Sequence, residues 1–254
     1  MHATEVIALF IAAAAAGAIN AVAGGGTLVT FPVLLLFGTA PVVANATNTL
    51  ALVIGTAGSI YGYRRHFEVV KPWLWSFLPV SLLGGLLGAV LLTRTDEGVF
   101  GKLVPFLILF ATLLFLAQGA FRRFAGRHDR VVRNGVIAAV LFQFAVAVYG
   151  GYFGAGIGIL MLASLGFIGL THIHEMNALK NILGSMINLV AALWFVAAGL
   201  IDWPRALIMT AGALGGYFLG AHYSQRISQR AVRVIITVIG LSLSAVMFYR
   251  QFFS

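Results

Sequence analysis

The chain contains no cysteine and carries little charge, least of all negative charge. Only 9% of its 254 residues are charged, and seven of them are acidic. The absence of cysteine excludes disulfides, thiolate metal sites and cysteine nucleophiles. The sequence also has no HExxH motif, no acidic pair and no Ser/His/Asp arrangement, so nothing in it favours an enzyme. We therefore expect a protein that is not an enzyme and that needs neither a metal nor another cofactor.

Apolar residues dominate the chain instead. Hydrophobic residues make up 61% of it, and its mean hydropathy is +1.00, whereas soluble domains carry about a quarter charged residues. These values predict an all-α, polytopic membrane protein. The net charge of +9 comes from arginines in short connections between apolar stretches, a pattern typical of the positive-inside rule and not of nucleic-acid binding. The first apolar run, 5–23, lacks a basic n-region, and we expect a retained helix there.

Ten apolar segments can be read along the chain, five in each half. About 20 residues are needed to cross the hydrocarbon core, so eight segments are long enough, and the second segment of each half is too short. The short segments follow glycine-rich breaks and are expected to turn back into the protein. The predicted segments are 4–23, 27–37, 42–63, 72–93, 98–121, 132–153, 157–168, 175–199, 204–224 and 231–250.

The two halves are related by an internal repeat with an offset of 132 residues. The sequence AGGGTL at 23–28 corresponds to AGIGIL at 155–160. Without a gap, the same offset aligns Thr39 with Thr171, Asn45 with Asn177, Pro72 with Pro204, Gly84 with Gly216, Gly88 with Gly220 and Arg94 with Arg226. Duplicated halves that each contain a Gly-interrupted apolar segment indicate a secondary transporter whose site lies between the repeats.

Charge predicts the orientation of these halves. If each short segment returns the chain to the side it came from, the Arg-rich connections 64–71, 121–133 and 224–233 share one face, which should be cytoplasmic. Both termini are then periplasmic, and the halves have opposite orientations. The sequence thus predicts two inverted repeats, 1–121 and 134–254, each with four long helices and one short helix, joined by a cytoplasmic linker at 122–133.

Polar side chains recur at helical spacing on the third segment of each half. Polar groups in the membrane are costly unless they face a bundle interior or a watery cavity, so these stripes are candidates for a binding site. The alternative for any one of them is interhelical hydrogen bonding. The stripes comprise Asn45, Asn48, Thr49, Thr56 and Ser59 in the first half and Asn177, Lys180, Asn181, Ser185 and Asn188 in the second.

Lys180 is the sharpest single candidate, as a fixed cation that attracts an anionic substrate. The alternative is that its side chain snorkels to the interface.

The glycines of the two breaks would expose backbone amides that hold an oxyanion, whereas the glycines at 84, 85, 88, 212, 215, 216 and 220 are interpreted as helix-packing residues. His172, His174 and Glu175 precede Lys180; they cap the helix or lie in an aqueous connection, and they are secondary candidates for proton coupling.

These residues resemble a known family. The stretches NAVAGGGTLVTFPVLL and ATNTLAL in the first half, with GGYFGAGIGILML and NALKNILGSMINLVAALWFVAAGLIDW in the second, are similar to the sulfite exporter TauE/SafE family, also called the toluene sulfonate uptake permeases. The resemblance covers nearly the whole chain. It implies a transporter of the bacterial inner membrane with about eight spans for sulfite, sulfoacetate and other organosulfonates. One departure is Ala163-Ser164, where the first half has Phe31-Pro32.

The prediction from the sequence is a carrier of small sulfur-containing anions that works by alternating access. An anion-selective channel and a membrane scaffold without transport are the alternatives. The expected partners are a small anion and the lipid bilayer, with a coupling proton or ion and a second copy of the chain as further candidates. The expected substrate-binding residues are Gly24, Gly25, Gly26, Thr27, Asn45, Asn48, Thr49, Gly154, Gly156, Gly158, Asn177, Lys180, Asn181 and Asn188.

Overall fold

The structure is a computed structural model, and it describes residues 1–22, 25–62, 67–125, 133–166, 173–223 and 229–253. Within these ranges all regular structure is α-helical, as predicted, and no strand occurs. The helices are α1 (Ala3–Val22), α2 (Thr27–Leu36), α3 (Pro41–Gly62), α4 (Phe67–Arg94), α5 (Glu97–Ala125), α6 (Arg133–Tyr152), α7 (Ile157–Gly166), α8 (Ile173–Ala197), α9 (Trp203–Tyr223) and α10 (Gln229–Phe253).

The predicted segments match these helices to within four residues at every end except one. The segment predicted to begin at residue 72 is wrong at its start, because α4 begins at Phe67 and Pro72 lies inside it. The polar residues Glu68 and Lys71 extend this helix beyond its apolar part, and hydropathy does not detect such an extension. The two short helices, α2 and α7, have 10 residues each and span about 15 Å.

Four helices of the described part are long and apolar enough to cross a bilayer. They include Ala3–Ala21, Val69–Arg94, Glu97–Ala117 and Ala178–Ala197, and shorter apolar helices occur at Thr27–Leu36, Val136–Tyr152 and Ile236–Phe252. The expectation of eight full-length crossings is therefore supported for four segments and stays a prediction for the rest.

Helices α1 and α9 pack with their backbones in direct contact. A side chain at Gly212, Gly216 or Gly220 of α9 would overlap backbone atoms of α1, so only glycine permits this approach. Because the contacts advance together along both helices, α1 and α9 run in the same direction. In order, the contacts are Phe10 with Gly212, Ala14 with Gly216 and Ala18 with Gly220.

Helices α4 and α6 form an equivalent pair. A side chain at Gly84 would overlap Ala147 and the backbone at Phe144. A side chain at Gly88 would overlap the backbone of Val148 and Gly151. This pair is also parallel. By the 132-residue offset α1 corresponds to α6 and α9 to α4, so each pair joins one half of the sequence to the other. The packing role predicted for the glycines of α4 and α9 is confirmed, except at Gly215, where a side chain would meet nothing within 4 Å.

An ion cluster ties α1, α2, α3 and α9 together at one end of the bundle, which we call the Glu5 end. Arg205, near the start of α9, pairs with Glu5 at 2.6 Å and with Asp202, and it donates to the carbonyl of Phe37 at 3.3 Å. The backbone N–H of Asp202 donates to the Thr47 hydroxyl at 3.0 Å. Phe37 follows the end of α2, and Glu5 lies in the first turn of α1. The end of α2 and the start of α1 therefore both lie at the Glu5 end, and the two helices form an antiparallel hairpin.

The glycine contacts between α1 and α9 yield a matched pair of variants. Gly216→Ala places a methyl group against the backbone of Ala14, so it should destabilise the protein by about 1–3 kcal/mol through overpacking. Gly215→Ala adds the same methyl group to open space and should be neutral or slightly stabilising because alanine favours helix. Thermal unfolding of the purified proteins in detergent, followed by tryptophan fluorescence, measures both. Equal melting temperatures for the two variants would contradict the described packing.

Candidate functional site

A cavity of about 140 Å³ lies between the two glycine breaks. For comparison, an engineered protein cavity of about 150 Å³ holds a benzene molecule, so this space suits a small organic or inorganic ion. Both halves of the sequence contribute to its walls. The polar and glycine lining consists of Asn20, Gly25, Thr27, Thr49, Thr56, Gly154, Gly156, Gly158, Lys180, Asn181, Gly184, Ser185, Asn188 and Tyr217, and the apolar lining includes Leu52, Phe115, Phe153, Ile157, Ile159 and Met161.

The first break turns the chain sharply between α1 and α2. Gly25 has a φ of +94°, a left-handed conformation that favours glycine, and a side chain there would overlap the Phe115 ring. The N–H of Gly26 donates to Asn20 Oδ1 at 2.7 Å, which satisfies one backbone donor at the start of α2. Thr27, the first residue of α2, lines the cavity, so the positive end of this helix dipole faces the cavity.

The second break also contains glycines in the left-handed conformation, but it has a different support. Gly154 and Gly156 have φ values of +80° and +79°. The Tyr149 hydroxyl donates to the carbonyl of Ala155 at 2.7 Å, so here a side chain satisfies a backbone acceptor. Helix α7 begins at Ile157, which also lines the cavity. Two short helices therefore begin at the same cavity.

The polar stripe of α3 divides between the cavity and the protein interior. Thr49 and Thr56 line the cavity. Asn48 does not; its Nδ2 donates to the Thr27 hydroxyl at 3.3 Å, and its Oδ1 accepts from Thr30, so it ties α3 to α2. Asn45 is also outside the lining and donates to the carbonyl of Tyr152 at 3.1 Å. For these two asparagines the geometry gives evidence of interhelical hydrogen bonding, which was the alternative interpretation of the stripe.

The polar stripe of α8 faces the cavity more completely. Lys180, Asn181, Ser185 and Asn188 all line it. The aliphatic stem of Lys180 lies over Gly158, since a side chain at residue 158 would sit 3.4 Å from Lys180 Cδ. Lys180 is seven residues into α8, about 10 Å along the helix. The stem therefore lies beside the first turn of α7, which is part of the cavity wall.

Several predicted residues lie outside the described part of the structure. Gly24 and His172 are not described, and nothing is described of the side chains of Asn177 and His174. Gly26 and Glu175 are described but do not line the cavity; Glu175 lies in the first turn of α8. Among the described residues no group of three histidine, aspartate or glutamate side chains is placed to hold a metal ion.

The sequence did not point to Asn20 or Tyr217. A signal for Asn20 exists, because it is an amide in an otherwise apolar segment just before the first break. Tyr217 has no such signal. It reaches the cavity only because α9 packs closely on α1 and α3, where its ring lies against Gly55.

Aromatic rings fill the space between the cavity and the Glu5 end. Phe153, which lines the cavity, makes edge-to-face contact with Phe31 at 5.4 Å and with Phe100 at 6.5 Å. Phe100 in turn contacts Tyr152 at 5.6 Å, and Phe31 and Phe100 are fully buried. The positions that correspond to residues 31 and 153 in the repeat are Ala163 and Ala21. At each of these two positions one copy of the repeat has a ring and the other has alanine; Phe31 belongs to the first half and Phe153 to the second.

Comparison with known proteins agrees with this architecture. The family model described as sulfite exporter TauE/SafE matches residues 9–247. A probable membrane transporter protein of Haemophilus influenzae is 31% identical over 246 residues, covering 96% of this chain and 94% of that protein. The probable membrane transporter protein YfcA of Escherichia coli is 29% identical, covering 95% of this chain and 88% of its own. No solved structure matches the chain.

The apolar helices define a multi-pass membrane protein whose described part is helical. The chain belongs to the sulfite exporter TauE/SafE family. The resemblance seen in the sequence motifs is thereby confirmed.

Proposed function

We propose that the protein is a secondary transporter that carries small sulfur-containing anions, such as sulfite or sulfonates, by alternating access. The observation that carries this proposal is the charge of the cavity. Within the described residues its lining contains one cation, Lys180, and no carboxylate. A fixed cation in a cavity wall attracts an anionic ligand and can donate charge-assisted hydrogen bonds to it. The names of the relatives from Haemophilus influenzae and Escherichia coli also support transport.

The rest of the lining supports the same kind of ligand. The helices α2 and α7 both begin at the cavity, and helix N-termini favour negative charge. The Thr27 hydroxyl and the Asn188 amide add neutral donors. A sulfite or sulfonate head group has several oxygen acceptors on one small centre, so donors from different helices can bind it together.

We further propose that the two halves form inverted repeats. This is supported by the direction of their corresponding helices. The Glu97 carboxylate accepts from the N–H of Val42 at 2.7 Å, so the start of α3 lies next to the end of α4, and these helices run in opposite directions. Thr47 and Gly55 of α3 contact α9 in chain order. Helix α3 is therefore parallel to α9 and α1, and antiparallel to α4 and α6.

Alternating access gives the aromatic layer and the ion cluster a common role. The aromatic layer lies between the cavity and the Glu5 end, and the ion cluster lies at that end, so this end would be closed in the conformation described here. In the inverted-repeat proposal, Ala21 occupies the position of Phe153 toward the opposite end, where a small side chain leaves that end easier to open. Rocking of one half against the other would then separate the rings and break the pairing between Arg205 and Glu5.

The absence of cysteine allows a direct test of the inverted topology. Single cysteines introduced in the connections 64–71 and 224–233 should both react with an impermeant thiol reagent only from the cytoplasmic side of inner-membrane vesicles. A cysteine at the exposed position Asp96 should react only from the periplasmic side. Reaction of the first two cysteines from opposite sides would contradict the inverted repeat.

Lys180→Met tests the anion site, because methionine keeps much of the apolar stem and removes the charge. Isothermal titration of purified protein with the best ligand among sulfite, thiosulfate, sulfonates and carboxylates should show about a hundredfold loss of affinity, or roughly 3 kcal/mol. Lys180→Arg should retain part of the binding. Lys102→Met, at an exposed lysine of α5, is the matched control and should bind as the wild type does. Unchanged affinity in Lys180→Met would remove Lys180 from the site.

A further inference from the structure

Tyr217 is a polar residue of the cavity that packing alone does not explain. It is 8% exposed, and its ring takes up the space that a side chain at Gly55 would need. By the 132-residue offset, Tyr217 corresponds to Gly85 and Gly55 to Ile187. These two residues are also in contact, but there the glycine lies on α4 and the large side chain, Ile187, on α8. An aliphatic side chain is thus sufficient to fill this kind of helix contact. The hydroxyl of Tyr217 has no counterpart at the corresponding position, which suggests a role other than packing.

Asn20 connects the first glycine break with this side chain. Asn20 Oδ1 accepts from the N–H of Gly26 at 2.7 Å, and because a backbone N–H can only donate, this bond defines which end of the amide faces Gly26. The amide of Asn20 is also a neighbour of the Tyr217 hydroxyl, within reach of a hydrogen bond, and both residues line the cavity. With Oδ1 directed at Gly26, the Nδ2 group is the one available to donate to Tyr217.

A tyrosine hydroxyl has one hydrogen to donate and can accept as well. When Asn20 Nδ2 donates to the hydroxyl oxygen, the hydroxyl hydrogen is left for another acceptor, and both Asn20 and Tyr217 line the cavity. Building on the anion site proposed above, we propose that the Tyr217 hydroxyl donates a hydrogen bond to an oxygen of the bound anion and that Asn20 is its positioning residue. The anion is thereby held between a cation on α8 and a neutral donor on α9.

This arrangement makes the first glycine break part of substrate recognition. The N–H of Gly26 orients Asn20, and Asn20 orients Tyr217, so the turn between α1 and α2 determines where the donor on α9 points. Tyr217 thus selects for an oxyanion, whose oxygens accept hydrogen bonds, among the anions that Lys180 attracts.

Isothermal titration of purified proteins with sulfite and with sulfoacetate tests this inference. Tyr217→Phe keeps the ring against Gly55 and removes only the hydroxyl, and its affinity should fall about tenfold or more, as expected for a hydrogen bond to a charged group. Tyr249→Phe, at an exposed position of α10, is the matched control and should bind as the wild type does. Equal affinities for wild type and Tyr217→Phe would overturn the inference while leaving the anion site intact.

A double-mutant cycle tests the role of Asn20. Asn20→Leu should lower the affinity for the anion as Tyr217→Phe does. The double variant should bind as tightly as the single variant of lower affinity, because both changes remove the same contact. Fully additive losses would overturn the positioning role, and melting temperatures measured alongside would identify a loss that comes from unfolding. If Asn20→Leu does not fold, Tyr217→Phe alone decides whether the hydroxyl binds the anion. Absence of binding by the wild type to both probes would overturn the proposed function together with this inference.

Discussion

The structure depends on one constraint: backbone that leaves the helical conformation inside a membrane protein must find its hydrogen-bond partners within the protein. No water is available in the hydrocarbon core, and an unsatisfied backbone group there costs several kcal/mol. Among the described residues, the chain leaves the helical conformation beside the cavity at Gly25 and at Gly154–Gly156. Asn20 supports the first break and Tyr149 the second, and glycines with positive φ make both turns. Because each break is supported, α2 and α7 can begin at the cavity.

The glycine breaks also determine the chemistry proposed for the cavity, because each break directs the N-terminus of a short helix toward it. A helix that begins at a cavity directs its N-terminal dipole there, and two such helices favour an anion before any side chain is considered. Lys180 adds a full charge, with its stem over Gly158 of α7. The same residues that shape the second break therefore lie beside the charge that would attract the ligand. In this account the repeated glycine breaks place the N-termini of α2 and α7 and the stem of Lys180 at the cavity. The repeat thereby forms the site that would bind the transported anion.

The sequence predicted the periodic and duplicated features well. Apolar segments of about 20 residues are easily recognised, and the 132-residue offset identified the two breaks and the packing glycines. Features that depend on contacts between distant helices were harder to predict. Gly215 follows the same spacing as Gly212 and Gly216 but faces open space. Asn45 and Asn48 share the stripe of Thr49, yet they bond to the break regions. Around the helix axis they lie about 40° and about 100° from Thr49, and the stripe alone does not show which part of this arc faces the cavity. Tyr217 could be placed only once α9 was known to pack on α3.

Flux through the purified protein in proteoliposomes is the most direct test of the central claim that this cavity carries small sulfur-containing anions. We expect saturable uptake of sulfite or a sulfonate that follows its gradient, with competition between ligands of the same class and much weaker uptake of carboxylates. A current that rises without saturation would indicate a channel. Absence of flux for sulfite, thiosulfate and sulfonates in correctly folded protein would contradict the account.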